Sequence, residues 1–347
     1  MNHTKHIGIN ELARRLGVAK STISKAMSGH PDINETTRRR IMRAATRYQY
    51  QPSWIARALT SKKTQLVGLI MYQPCSGYFI EIAESIVAEA SRRGYRVTLD
   101  FSGAKPEMEM EILADYRRRH IEGVIITPNT ENNAAMLANA CGDMPYVIVD
   151  SYQEGTNAPY VGSDFKEVGY LATRHLLELG HRHIAFLGGA PGIPSSHERL
   201  AGFMKAHREF KVPVNKNWIC HESFKESSGM KQSLALMRKF PEITAFVCVN
   251  GALAQGVLKT AQTLGKSVPK DISVIGVSCL GNISTVTQRP QEIGRIAIDT
   301  LFRKMSGAPV KSRQIIGADL EVRGTTASAP DLKIKSSKYH KPDIEGK

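Results

Sequence analysis

Apolar residues recur at helical spacing three times within the first 50 residues, in sets separated by polar residues. The sets are Ile9, Leu12, Ala13 and Leu16; Thr22, Ile23, Ala26 and Met27; and Ile41, Ala44, Ala45 and Tyr48. Spacings of three and four residues are typical of the buried stripe of a short helix. Gly17 lies between the first two sets, where its tolerance of positive φ suits a tight turn, and Asn34 can cap the third helix. The pattern predicts a helix-turn-helix.

The outer face of the second predicted helix carries short polar and basic side chains, namely Lys20, Ser21, Ser24, Lys25 and Ser28. A helix that reads base edges in the major groove of DNA needs donors of this kind. The third helix carries arginines at i, i+4 and i+8, which either contact phosphates or form a solvated charged face: Arg39, Arg43 and Arg47. The predicted DNA-contacting residues of this head are Lys20, Ser21, Thr22, Ser24, Lys25, Asn34 and Arg43.

From Gln65 onward, short apolar runs alternate with amphipathic stretches; the runs include LVGLIMY, YRVTLDF, GVIIT, YVIVD, HIAFLGG, AFVCV and ISVIGV. Strands that alternate with helices predict doubly wound parallel sheets with helices on both faces. The predicted fold class is therefore α/β with an all-α N-terminal head. Ligands of such sheets lie at the carboxyl ends of the strands, which here lead into Gln73 to Phe79, Asp150 to Tyr152, Asn250 and Ser278.

Charge is concentrated in the head. The chain of 347 residues has a net charge of +15, and residues 1–63 hold 13 Lys/Arg but only 3 acids, Glu11, Asp32 and Glu35. The remaining 284 residues are close to neutral for their size, with 34 basic and 29 acidic side chains. This distribution fits a nucleic-acid-binding head on a near-neutral body, although charge alone leaves open a solvated basic surface.

Several classes of function are disfavoured. Five scattered cysteines without a CxxC pair predict reduced thiols rather than a disulfide frame or zinc site, and we expect no cofactor and no metal. No G-x-S-x-G, P-loop or HExxH motif points to an enzyme. His181 and His183 are expected to be exposed turn residues. No apolar run fits a membrane span or signal peptide, which favours a cytoplasmic protein over an exported solute-binding protein.

The chain resembles the lactose/galactose-repressor (LacI/GalR) family of bacterial regulators over roughly residues 7–326. The resemblance rests on INELARRLGVAKSTISKAMSG, PDINETTRRRI, YQYQPSWIARALTSKKT, VGLIMY, RRRHIEGVIITP, ATRHLLELGHRHIAFLGG, ERLAGF and VPKDISVIGV. It implies a ligand-modulated repressor in which Lys20, Ser21 and Lys25 occupy base-reading positions. Ala19 departs from the family's usual serine, and the missing helix cap should cost about 1 kcal/mol.

The resemblance also implies a hinge over residues 51–63. Pro52 stops the preceding helix and Ser53 can cap a new one, which is too short to persist alone in water. By resemblance the hinge folds on DNA, paired with its twin in a homodimer that binds a pseudo-palindromic operator. The predicted contacts of the hinge are Ser53, Ile55, Ala56, Arg57 and Leu59. Leu59 is either a minor-groove wedge or an ordinary packing residue.

The predicted domains follow from this resemblance and from the strand pattern. They are the helix-turn-helix at 1–50, the hinge at 51–63, a two-lobed periplasmic-binding-protein-like body at 64–326, and a disordered basic tail at 327–347. Lobe 1 is expected to comprise 64–163 and 290–321, and lobe 2 to comprise 164–289. The chain then crosses between lobes near 163, 289 and 322.

The predicted effector pocket departs from the family's sugar pocket. The candidate ligand-binding residues are Gln73, Tyr78, Phe79, Asp150, Arg199, Asn250 and Ser278. The family's usual carboxylates are replaced by Gln73, Gly251 and Ser278, and the segment after Cys279 is shorter. We therefore expect neutral hexoses to bind poorly or not at all, and Arg199 either to favour an anionic sugar or metabolite or to form a structural pair. The sequence leaves open that Asp150 or Asp164 restores an acceptor, and that control by a protein partner or by abundance alone replaces the small molecule.

Overall fold

The structure is a computed structural model that describes residues 7–50, 63–72, 77–103, 105–128, 134–152, 154–190 and 193–330. The chain divides into two compact units, Met1–Leu66 and Val67–Lys347. The first contains the helical head and the second contains the α/β body. Among the described residues, no helix is both long and apolar enough to cross a lipid bilayer.

Three helices form the described part of the head, as the apolar pattern predicted: α1 (Ile9–Leu16), α2 (Lys20–Met27) and α3 (Glu35–Arg47). Leu12, Ile23 and Ile41, one from each helix, are at most 1% exposed and form the centre of its core. Gly17 follows α1 with a φ of 64°, a left-handed conformation that glycine adopts without strain. This turn redirects the chain so that α2 begins three residues later.

Six strands form the first sheet of the body: β1 (Leu66–Met71), β2 (Arg96–Phe101), β3 (Val124–Ile126), β4 (Tyr146–Val149), β5 (Tyr160–Ser163) and β11 (Arg313–Ile316). Their order is β11-β5-β4-β3-β1-β2, with parallel pairing from β11 to β1. The helices of this lobe 1 are α4 (Gly77–Arg92), α5 (Pro106–Arg118), α6 (Ala134–Cys141) and α11 (Pro290–Met305). Ile82 of α4 and Ile298 of α11 share one apolar core with Val67 and Ile125.

The second sheet comprises β6 (Ile184–Gly188), β7 (Ile219–His221), β8 (Ala245–Cys248), β9 (Ser273–Val277), β10 (Ser284–Thr287) and β12 (Asp319–Glu321). Its order is β12-β10-β9-β8-β6-β7, parallel except for β12. The helices of this lobe 2 are α7 (Phe165–Glu178), α8 (Pro194–Glu209), α9 (Glu226–Lys239) and α10 (Gly251–Thr263). The two sheets confirm the predicted α/β architecture.

The chain passes between the lobes three times. It leaves the first sheet after Ser163, returns before Pro290, and crosses again between β11 and β12. The predicted third crossing near 322 is wrong, because Asp319 already pairs with Thr287 of β10. The short β12 is an exposed edge strand without an apolar run, so the sequence pattern carried no signal for it.

The predicted start of the disordered tail at 327 is also wrong. The Ala327 N–H donates to the Ser273 hydroxyl at 3.1 Å, and the Ala329 N–H donates to the Leu179 carbonyl at 2.8 Å. Residues 327–330 therefore belong to lobe 2. The rest of the predicted tail, residues 331–347, lies outside the described residues.

His181 is buried, at 0% exposure, rather than exposed as the sequence suggested. Its Nε2 lies 3.1 Å from the Ala327 carbonyl, which must accept, so Nδ1 accepts from the Thr244 hydroxyl at 2.8 Å. Burial lowers the pKa of His181, which favours this neutral ring. His181 therefore ties Ala327 to lobe 2.

Candidate nucleic-acid interface and ligand cleft

Helix α2 has two chemically distinct sides. Ile23 and Ala26 are buried in the head, at 0% and 2% exposure. The other side exposes a continuous polar face, made of Lys20, Ser21, Ser24, Lys25 and Ser28, with Thr22 half-buried at its edge. The structure therefore places the predicted base-reading residues together on one solvent-facing surface.

The first turns of α2 and α3 differ in how they are capped. Asn34 Oδ1 accepts a hydrogen bond from the Thr37 N–H at 2.8 Å and so caps α3. Ala19 occupies the same position before α2 and has no side-chain oxygen to offer. The predicted cap at Asn34 is confirmed. The amide NH2 group of Asn34 takes no part in the cap and stays available as a donor to DNA.

The cations of the head differ in their partners. Lys25 Nζ lies 2.9 Å from Asp32 Oδ2, and Arg39 Nε lies 2.9 Å from Glu35 Oε1. Within the described part of the head, no carboxylate lies within ion-pair distance of Lys20, which precedes Ser21 on the polar face. Arg43 likewise has no ion-pair partner among these residues, so both cations are available to an external anion.

Arg43 lies in a shallow groove of about 500 Å³ between α3 and the end of α1. Arg40 donates to the Leu16 carbonyl at 2.8 Å on one side of this groove. On the other side, the Arg47 guanidinium lies 5.7 Å from the centre of the Tyr48 ring. Of the predicted arginine row, Arg43 is thus the member best placed to contact a phosphate.

The remaining predicted DNA contacts lie outside the described residues. They are the hinge positions Ser53, Ile55, Ala56, Arg57 and Leu59. The candidate ligand residue Gln73 lies outside them as well.

Arg199 of α8 lies between the lobes and is 8% exposed. Its position is fixed by close helix packing, since a Cβ on Gly169 of α7 would lie 2.0 Å from the Arg199 carbonyl oxygen. The guanidinium lies 4.8 Å from the centre of the Phe165 ring and donates to Gln288 Oε1 at 3.0 Å. Arg199 Nε and Gln288 Nε2 are buried and have no acceptor among the described residues.

Asp150 faces Arg199 from lobe 1. Tyr78 donates to Asp150 Oδ1 at 2.9 Å, and the Tyr160 hydroxyl donates to the Asp150 backbone carbonyl at 3.1 Å. Burial raises the pKa of the Asp150 carboxyl, and the charge of Arg199 offsets part of that rise. Burial likewise lowers the pKa of Arg199, against the attraction of Asp150. Asp150 is therefore the acid whose charge acts most strongly on Arg199, ahead of Glu198. The other acid left open by the sequence, Asp164, instead caps α7 by accepting from the Glu167 N–H at 2.9 Å.

Three other candidate ligand residues have distinct surroundings. Asn250 caps α10 by accepting from the Leu253 N–H at 2.8 Å, and its amide donates to the Phe224 carbonyl at 2.9 Å. Ser278 has a φ of 48°, and its buried hydroxyl has no partner among the described residues. Phe79 is half-buried with its ring 5.2 Å from that of Tyr78. Asn250 thus has a structural role, whereas Ser278 retains a free polar atom.

Sequence reasoning missed Gln288, Phe165 and Tyr160 around Arg199. A signal for Gln288 existed, because it directly precedes the predicted crossing near 289. Across the described ranges, no cluster of three or more His, Cys, Asp or Glu side chains could hold a metal ion.

Comparison with known proteins agrees with this arrangement. Residues 8–53 match the model for bacterial regulatory proteins of the lacI family, and residues 173–326 match that for a periplasmic binding protein-like domain. The chain is 29% identical over 308 residues to the HTH-type transcriptional repressor PurR of Vibrio parahaemolyticus, covering 86% of this chain and 91% of that protein. It is 26% identical over 317 residues to catabolite control protein A of Priestia megaterium, covering 88% and 95%.

A solved structure shares the fold over nearly the whole chain. The lac repressor dimer bound to operator and the anti-inducer ONPF superposes with a TM-score of 0.82 at 23% identity, covering 93% of this chain and 100% of that chain. Head and body thus occur in the same order in known regulators. The chain therefore combines a lacI-family helix-turn-helix head with a periplasmic binding protein-like domain and is a DNA-binding transcriptional regulator.

Proposed function

We propose that this regulator represses transcription as a homodimer whose two heads bind the two halves of a pseudo-palindromic operator. The observation that carries the proposal is the division of α2 into a buried side with Ile23 and an exposed polar side with Lys20 and Lys25. Such a helix can pack on its own domain while it presents donors to base edges. The relative from Vibrio parahaemolyticus is named a repressor, which supports the direction of regulation.

Phosphate contacts supply the affinity that does not depend on sequence. Arg43 is the proposed phosphate ligand, because it is exposed and unpaired within the described head. The hinge contacts remain predictions from the sequence, with Leu59 as the wedge that opens a base step. A Leu59→Ala variant should lose specific binding and DNA bending while its body stays folded. Normal operator affinity and bending in this variant would contradict the hinge assignment.

The homodimer is supported by an apolar stripe on lobe 1, formed by Ile80, Val87, Leu99 and Phe101, which are 39–50% exposed. Leu99 and Phe101 lie on β2, an edge strand of the first sheet. Exposed apolar edges are usually covered in soluble proteins, and two half-sites require two heads. Val87→Glu should therefore shift the protein towards monomers in analytical ultracentrifugation. An unchanged dimer would place the interface elsewhere.

Operator affinity is modulated, in this proposal, by a small ligand between the lobes. Acceptor atoms on a ligand would satisfy the buried donors Arg199 Nε and Gln288 Nε2. Asp150 supplies an acceptor from lobe 1 and partly balances Arg199, so the preference for an anion is weaker than Arg199 alone would give. An anionic sugar or metabolite remains the proposed class, because Ser278 and Gly251 supply no further carboxylates.

Calorimetry with a neutral hexose and its phosphorylated form tests this ligand class. We expect the phosphorylated form to bind more tightly, or neither to bind, because a buried sugar hydroxyl without an acceptor costs about 1 to 3 kcal/mol. Micromolar binding of the neutral hexose, abolished by Arg199→Ala, would contradict it.

The salt dependence of binding tests the DNA-binding function. Affinity for duplex DNA should fall steeply as salt rises, with a slope of about −0.9 for each phosphate neutralised. Arg43→Ala should reduce the magnitude of the slope by about 0.9, the contribution of one phosphate. A flat response to salt would rule out the proposed role of the basic head.

A further inference from the structure

Of the three acids in the described part of the head, Asp32 is the one that pairs with a side chain of the α2 polar face. The other two, Glu11 and Glu35, pair within their own helices with arginines three or four residues away. Asp32 lies instead in the turn between α2 and α3, and its Oδ2 lies 2.9 Å from Lys25 Nζ. The pair therefore joins two elements at the surface that the proposed function assigns to DNA.

A second contact holds the backbone of this turn in place. The Asp32 backbone N–H donates to His30 Nδ1 at 3.3 Å. Lys25 and Asp32 nevertheless stay open to solvent, with 47% and 59% of their side chains exposed. Both side chains are therefore accessible to a molecule that binds to α2.

Fold stability does not account for a carboxylate at this point. Exposed ion pairs contribute about 0 to 1 kcal/mol, and a negative charge at a DNA-facing surface is repelled by phosphates. Asp32 thus costs affinity for DNA in general. A carboxylate is useful here if it accepts a hydrogen bond that only certain bases can donate.

The major-groove edge of a G·C pair matches the Lys25–Asp32 pair. Guanine offers the acceptors N7 and O6, which lysine contacts, and cytosine offers the N4 amino donor, which aspartate accepts. An ammonium group has three N–H donors, so Lys25 can donate to guanine and retain its ion pair with Asp32. An A·T pair in the same orientation would place the thymine O4 acceptor opposite the carboxylate, which is repulsive.

We propose that Lys25 and Asp32 act as one unit that reads a G·C base pair, with Lys25 donating to guanine and Asp32 accepting from cytosine N4. The proposal rests on the proposed function, since it requires α2 to enter the major groove. Asp32 is then a specificity-determining residue. It lowers affinity for non-operator DNA and discriminates against A·T at one position of each half-site.

Selection of binding sites from random duplexes, with the full-length protein and its variants, tests this unit. The variants are Asp32→Asn, Lys25→Met and the matched control Glu35→Gln, which removes an acid that pairs only within α3. Wild type and control should select the same inverted repeat. Asp32→Asn should bind scrambled DNA more tightly and lose about tenfold or more of the preference for G·C at one symmetric position. Lys25→Met should lose preference at the same position.

A cytosine analogue without the 4-amino group, placed at that position, isolates the contact. The analogue should lower the DNA affinity of the wild type several-fold more than that of Asp32→Asn, because only the wild type loses the proposed hydrogen bond. Equal weakening, or an unchanged G·C preference in Asp32→Asn, would overturn the reading unit while leaving the DNA-binding function intact. If the wild type and Glu35→Gln select no common motif, the proposed function itself fails, and the reading unit fails with it.

Discussion

Serine at position 19 should stabilise the start of α2. Ala19 has φ −69° and ψ 151°, and Asn34, which caps α3, has φ −64° and ψ 153°. Since the two backbones agree within a few degrees, a serine at 19 can accept from the first free N–H groups of α2 without rearrangement. The Asn34 cap shows the geometry, with its oxygen 2.8 Å from the Thr37 nitrogen. A cap of this kind contributes about 1 kcal/mol, which corresponds to roughly a fivefold change in the equilibrium constant for local opening of the helix.

Hydrogen exchange of the full-length protein, followed by mass spectrometry, measures this effect. Peptides covering α2 should exchange about fivefold more slowly in Ala19→Ser than in the wild type. Asn34→Ala is the matched control, and it should speed exchange in α3 by a similar factor while leaving the lobes unchanged. If Ala19→Ser leaves exchange in α2 unaltered while Asn34→Ala speeds it in α3, the argument from the shared cap geometry is wrong.

Three further outcomes are expected of the body. Gly169→Ala should destabilise lobe 2 by about 1 to 3 kcal/mol in urea unfolding, because its Cβ would meet the Arg199 carbonyl at 2.0 Å; unchanged stability would contradict the close helix packing. Burial lowers the pKa of His175, His181 and His207, so the unfolded state binds more protons below pH about 6.5, and stability should fall as pH drops from 7.5 to 5.5. A flat profile over that range would contradict neutral buried rings. Arg199→Met should raise the pKa of Asp150 further, measured by NMR titration, and an unchanged pKa would mean that the two charges do not interact.

The elements with strong local patterns were predictable from the sequence. Apolar spacing and Gly17 predict the three helices of the head, and the alternation of apolar runs with amphipathic stretches predicts both sheets. These signals are local because each element buries one face or is wholly apolar. The polar face of α2 was predictable for the same reason, since the residues that are not buried must lie outside.

The features that depend on contacts distant in sequence were not predictable. β12 is recognised only by its pairing with β10, and Ala327 is ordered by His181, which is 146 residues away. Asp150 on lobe 1 and Arg199 on lobe 2 influence one another electrostatically, which no local pattern reveals. The Lys25–Asp32 pair depends on how the turn after α2 folds back, although its two members are only seven residues apart.

The central claim is that α2 reads DNA sequence while Arg43 contributes affinity without reading it. Binding-site selection with the wild type, Lys20→Ala and Arg43→Ala tests this claim most directly. The wild type should enrich an inverted repeat, Lys20→Ala should change the preferred bases within each half-site, and Arg43→Ala should keep the motif while binding every duplex more weakly. One identical motif for all three proteins, or none for the wild type, would contradict the account.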